Sequence, residues 1–271
     1  MTPTTSTDLS GPVAPSGEIR PDNSALVEYV LSLADDSLVA AQRMGEWIAA
    51  SPQLEEDVAL GNIALDLLGQ ARSLLTYAGS LQDPVRTEDD LAYLRDEREF
   101  RSVHLVEREN GDFAVTMARL LVLSTYQHAQ YTRLQNSTDA TLAAVAAKAV
   151  KEVDYHRDHA TMWVLRLGDG TEESHQRMQV ALEAEWPYVE ELFGNAHLDA
   201  ALLEAGVAVD PAGLRDVWQR YVDEVVGRAT LTLPDVPPAV TGGRKGVHCE
   251  RMGYLLAEMQ HLARSHPGAQ W

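Results

Sequence analysis

Asp66, Gln70, Glu152 and His156 are the side chains of this sequence best suited to chemistry. Carboxylates and imidazoles set one helical turn apart can share a cation or a proton. Asp66 and Gln70 lie in DVALGNIALDLLGQARSLLTYAG, residues 57–79, where Asn62, Asp66, Gln70, Ser73 and Tyr77 fall on one line at helical spacing. The run is apolar on both sides of that line. A helix apolar nearly all round with a thin polar seam belongs inside a bundle, so the seam is expected to face polar groups and not open water. Glu152 and His156 form a second pair, sharing one face with Lys148, His159 and Trp163.

Carboxylates turned into a helical bundle raise the question of a metal pair. A di-iron site takes a Glu from each of two helices and a Glu-x-x-His from each of the other two. Two such strings exist here, Glu172 to His175 and Glu258 to His261, and both fall outside the four long helices. Glu172 and Glu173 are better explained by the positive end of a helix dipole. Within the long helices the ligand pattern is degenerate: Glu46 on the first, Asp66 with Gln70 on the second, Gln127 or His128 on the third, and Glu152 with His156 on the fourth. Amides bind iron weakly but hydrogen-bond carboxylates well. The expectation is that Glu46, Asp66, Gln70, Glu152 and His156 form a core polar network in place of a metal, with a metal pair as the alternative. No catalytic residue is assigned.

The elements that must position these groups read as helices throughout. Residues 1–22, rich in Thr, Ser, Pro and Gly, are expected to be a disordered tail, and 23–271 a single domain. A first helix starts at Asn23 or Ser24, with Gln42 and Glu46 facing inward. Ser51 as N-cap and Pro52 at the first helical position would open the second, packed antiparallel to the first. A short charged helix over 87–98 and a less regular stretch over 101–109 lead to the third long helix, and the fourth covers about 140–167. Further helices are expected at 171–193, 198–204, 210–228 and 247–265. The fold class is all-α, an antiparallel bundle with additional C-terminal helices.

The totals narrow the function further. A net charge of -19 over 271 residues repels a phosphate backbone and argues against nucleic acid. Neither a secretory segment nor a long uncharged apolar run is present, and the single Cys249 excludes an internal disulfide framework, so a cytoplasmic protein without membrane contact is expected. No phosphate loop, dinucleotide fingerprint or nucleophile elbow occurs. TGGRKG, residues 241–246, reads as a flexible glycine-rich turn, with phosphate binding as the alternative. Trp47, Trp163, Trp186 and Trp218 read as core packing and Trp271 as a tethered end.

Several longer runs carry a resemblance. LEEDVALGNIALDLLGQAR (54–72), LRDEREF (94–100), KAVKEVDYH (148–156), GVAVDP (206–211), TGGRKGVH (241–248) and the ending LAEMQHL…PGAQW are similar, in order, to the C-subunit family of the phenylacetyl-CoA epoxidase complex. The resemblance extends from about residue 25 to the end. It implies a ferritin-like fold and a place in a multicomponent monooxygenase that epoxidises phenylacetyl-CoA with O2. Reducing equivalents would come from NADPH through a flavin and iron-sulfur reductase. The di-iron centre would sit in the homologous catalytic component, the A-subunit, leaving this chain as its metal-free, non-catalytic structural partner among the other oxygenase subunits. It also points to substrate contacts at Glu99, Phe100, Arg101 and Ser102, with a second stretch at Ala200, Ala201 and Leu202. Two other readings stand beside it: a self-sufficient di-iron oxidase of the same fold, and an acidic helical adaptor.

Overall fold

A computed structural model describes residues 23–269; the expected tail at 1–22 and Trp271 lie outside them. Four long helices make the core: α1 (Ser24–Gly45), α2 (Leu54–Ser80), α5 (Phe113–Leu134) and α6 (Ala140–Gly168). Between α2 and α5 the chain crosses the bundle through α3 (Glu88–Tyr93) and α4 (His104–Glu107). Four more follow: α7 (Glu172–Glu185), α8 (Ala200–Glu204), α9 (Arg215–Arg228) and α10 (Glu250–Ser265). No strand occurs among the described residues, and the architecture is an all-α, ferritin-like bundle with additional C-terminal helices.

The long helices form because each carries an apolar stripe that another covers. On α2, Leu60, Ile63, Leu67, Ala71, Leu74 and Ala78 recur at helical spacing and are buried against α1 and α6. α5 is buried on nearly all sides, since α6, α7 and α9 all pack on it. The aromatic residues tie these layers together. Phe113 stands edge-on between Trp47 and Trp163 at 5.8 and 4.9 Å, and Trp218 is enclosed, donating from Nε1 to the Val122 carbonyl at 3.0 Å.

Three local expectations need correction. First, α2 starts at Leu54 and not at Pro52; Ser51 does not cap it, and its Oγ donates back to the Trp47 carbonyl at 3.1 Å. The turn is held instead by Asp57, whose Oδ1 accepts from the amide of Ala49 at 2.7 Å. Second, α2 is not enclosed all round: Leu54, Val58, Leu65 and Leu68 are exposed, and of the polar line Asn62 and Ser73 face outward. Third, the 241–246 run is a packed connection and not a flexible turn. A Cβ on Gly243 would stand 1.9 Å from the Ser102 carbonyl oxygen, and Gly246, at φ +72°, lies as tightly against Arg98. Arg244, between them, is almost wholly enclosed.

Candidate functional site

The seam between α2 and α6 brings four of the expected residues together. His156 Nε2 lies 3.1 Å from Asp66 Oδ2, and Gln70 Nε2 donates to Glu152 Oε2 at 3.0 Å. Lys148 Nζ adds a cation 3.2 Å from Glu152 Oε1. These pairs form because the helices run antiparallel, so positions a turn apart on one meet positions a turn apart on the other. His156 is fully enclosed, while the Asp66 side chain is 36% exposed. Burial outweighs the pull of Asp66 and Glu152 and holds the imidazole below its ordinary value. At neutral pH the ring is therefore uncharged and donates from Nε2 to Asp66, leaving Nδ1 as a buried acceptor without a partner.

Glu46 does not join this seam. It sits at the end of α1 with its side chain 39% exposed, bonded to Arg43 Nη1 at 2.5 Å and Asn110 Nδ2 at 3.0 Å. One face of α1 separates the two outcomes: the inward position belongs to Arg43, and Glu46 follows it to the rim. Gln127 is buried, whereas His128 turns to Arg157 and Asp154. Glu56 takes an inward place that its position in the first turn of α2 does not announce. Its Oε2 accepts from Trp163 Nε1 at 2.8 Å and lies 3.2 Å from His159 Nε2, off the hydrogen-bonding direction. Its spacing four residues ahead of Leu60 on the core stripe was the available signal.

A di-iron pair does not fit this donor set. Asp66 and Glu152 face a histidine, an amide and a lysine, and no cluster of three potential ligands occurs among the described residues. The acids of α1 that could face them are engaged elsewhere. Nor do the Glu-x-x-His strings help: His175 Nδ1 bonds the Gly168 carbonyl at 2.7 Å, which closes the end of α6, and Glu258 and His261 are exposed on α10.

The buried charges of the molecule lie mainly outside the seam. Asp35 takes both Nη groups of Arg95, at 3.0 and 2.5 Å. Asp36 takes both of Arg244, at 3.0 and 2.7 Å, and also accepts from the Val103 amide at 2.9 Å. Burial pushes Asp36 up to about 6 against the opposing pull of Arg244, so the pair is ionised at neutral pH. Glu185 receives Arg119 and Arg108, each at 2.9 Å. Glu107 and His248 face each other at 2.6 Å with both side chains enclosed.

These pairs decide what residues 99–102 can do. Phe100 is fully buried under the Arg95 guanidinium, 4.1 Å from its ring centroid. Ser102 is fully buried and donates to Glu107 Oε1 at 3.1 Å. Neither side chain presents surface in this chain, where the expectation had placed substrate contacts. Arg101 is held by Glu28 at 2.5 Å and gives its own amide to Asp35 at 2.7 Å; Glu99 caps the Asp96 amide at 2.7 Å. Ala200 and Ala201 are exposed on α8 and Leu202 is half-buried against the core. No hydrogen bond or ion pair among the described residues joins α8 to 99–102.

Fold and seam together define a ferritin-like helical protein with a hydrogen-bonded polar seam between α2 and α6. The chain belongs to the phenylacetic acid catabolic protein family, whose model matches residues 14–271. It is 48% identical over 246 residues to the C-subunit of 1,2-phenylacetyl-CoA epoxidase of Escherichia coli (strain K12), a match that covers 91% of this chain and 99% of that relative. The family match begins at residue 14, ahead of the first quoted run at 54–72 and of about residue 25, from which the resemblance extends. No helix of the described residues is long and apolar enough to cross a membrane.

Proposed function

We propose that this chain is the non-catalytic structural subunit of a cytoplasmic phenylacetyl-CoA 1,2-epoxidase complex of aerobic phenylacetate degradation. It pairs with, and stabilises, the di-iron catalytic subunit. The observation that carries the reading is the α2–α6 seam. Its two carboxylates are answered by His156, Gln70 and Lys148, so the chain keeps the architecture of an oxygenase subunit with its acids engaged by protein groups. The 48% identity to an epoxidase C-subunit supports the same assignment. In this reading the iron pair belongs to the partner, and flavin, iron-sulfur and NADPH belong to the reductase. Any contact with phenylacetyl-CoA is confined to the outer edges of Glu99 and Arg101 and to exposed Ala200 and Ala201.

Co-expression with the catalytic subunit tests this directly. The two chains should purify as one stable complex, epoxidation should need both, and this chain isolated should hold no iron. Two irons per isolated chain with oxidase activity would replace the proposal by a self-sufficient di-iron oxidase. Failure of the two chains to associate would leave an acidic adaptor.

A further inference from the structure

The apolar side chains that α2 leaves uncovered are not scattered. Asp66 pairs with His156 across the seam, and in antiparallel helices the residue preceding each partner turns to the same outer side. Leu65 and Tyr155 occupy those positions and are 66% and 49% exposed. Val58 and Leu54 continue the row on α2, Met162 continues it on α6, and Leu68 lies at its edge; they are 58%, 75%, 45% and 42% exposed. Between the rows the floor is polar, with Asn62 exposed and the Asp66 carboxylate partly so.

At ordinary residue areas these six residues expose roughly 600 Å², mostly apolar, at the upper end of the largest patch that a monomer commonly leaves. With a polar rim this approaches the roughly 800 Å² per partner of a stable interface. A second copy of the chain is a poor occupant, because each copy brings a net charge of -19 to the contact.

We infer that the α2–α6 face is the docking surface for the di-iron catalytic subunit, which would lay an apolar helix face over Leu65 and Tyr155 and offer a donor to Asp66. This rests on the function proposed above and adds the place of contact to it.

The test is co-expression of the catalytic subunit with Leu65→Glu and Tyr155→Ala variants, read by size-exclusion chromatography and by titration of the purified subunits. Val180→Glu, at a position 56% exposed on α7, serves as the control. Circular dichroism melting confirms that each variant folds. Leu65→Glu should weaken the complex at least tenfold and Tyr155→Ala severalfold, while Val180→Glu binds as the wild type does. If wild type binds and Leu65→Glu binds equally well, the surface is wrong and the function stands. If wild type itself does not bind, function and surface fall together. A concentration-dependent dimer of the chain alone, dissolved by Leu65→Glu, would overturn the inference in favour of a second copy.

Discussion

Arg244 reaches Asp36 with both Nη groups, joining the loop before α10 to the middle of α1 across 208 residues of sequence. The same guanidinium donates to the carbonyls of Ser32 and Arg101, at 2.9 and 2.8 Å, so one side chain ties together three segments. A buried ion pair stabilises little against a well-packed apolar pair, but breaking one side of it leaves a charge without compensation.

Arg244→Met should therefore cost roughly 3–5 kcal/mol, since Asp36 would remain buried and unpaired. The double variant Asp36→Leu with Arg244→Met should recover most of that loss. Urea denaturation of the three proteins measures both. A single variant as stable as the wild type would mean that the pair is not enclosed in solution.

Gly243→Ala should be strongly destabilising, because the added Cβ would meet the Ser102 carbonyl at 1.9 Å and both partners are backbone-bound. Gly61→Ala should do the opposite. It lies inside α2, a Cβ there meets nothing within 4 Å, and helix propensity favours Ala by about 1 kcal/mol. Thermal melting distinguishes the two signs.

His156 gives the seam a dependence on pH. An unfolded imidazole takes up its proton near pH 6.5, and burial makes the folded one take it up only at lower pH. The folded state is thus favoured above that value and loses stability as the pH falls through the folded pKa. His159 and His197 are shifted the same way by burial. His156→Gln should flatten part of the decline in stability between about pH 7 and 5.

The contact of His248 with Glu107 has the opposite sign. Hydrogen bonding and charge attraction from Glu107 overcome burial and raise the His248 pKa, while His248 and the Cys249 amide lower that of Glu107. The His248 contribution is complete below its ordinary value of about 6.5 and is lost as the pH rises through the raised one. That of Glu107 is complete above its ordinary range and is lost as the pH falls through the lowered value. Amide hydrogen exchange, corrected for intrinsic rate, should show the start of α10 opening more readily in alkali. In His248→Gln that pH dependence should disappear.

The four long helices were legible because each repeats an apolar stripe over many turns, and the α2–α6 pairing followed from two polar pairs at matching spacing. What spacing cannot supply is the partner of a buried charge. Asp35 and Asp36 interrupt an apolar run, which marks them as unusual, yet nothing local says that Arg95 and Arg244 answer them. Glu46 and Arg43 lie within one turn, so a modest error in helix rotation exchanged the rim residue for the inward one. Residues 100–103 are extended and too few to show a period, which left the burial of Phe100 and Ser102 unreadable. The resemblance identified the family without identifying which of its residues face inward.

The reach of Arg244 to Asp36 also sets an order on synthesis. Helices α1, α2, α5 and α6 all leave the ribosome well before residue 244, and nascent domains begin to fold from their N-terminal end. Until the 241–248 segment emerges, the first helix carries a carboxylate, Asp36, that no earlier segment among the described residues neutralises. The bundle can collapse early, but its final closure waits for the 241–248 segment. A ribosome stalled ahead of that segment should display a loosened, chaperone-accessible bundle, and one stalled beyond it a closed one.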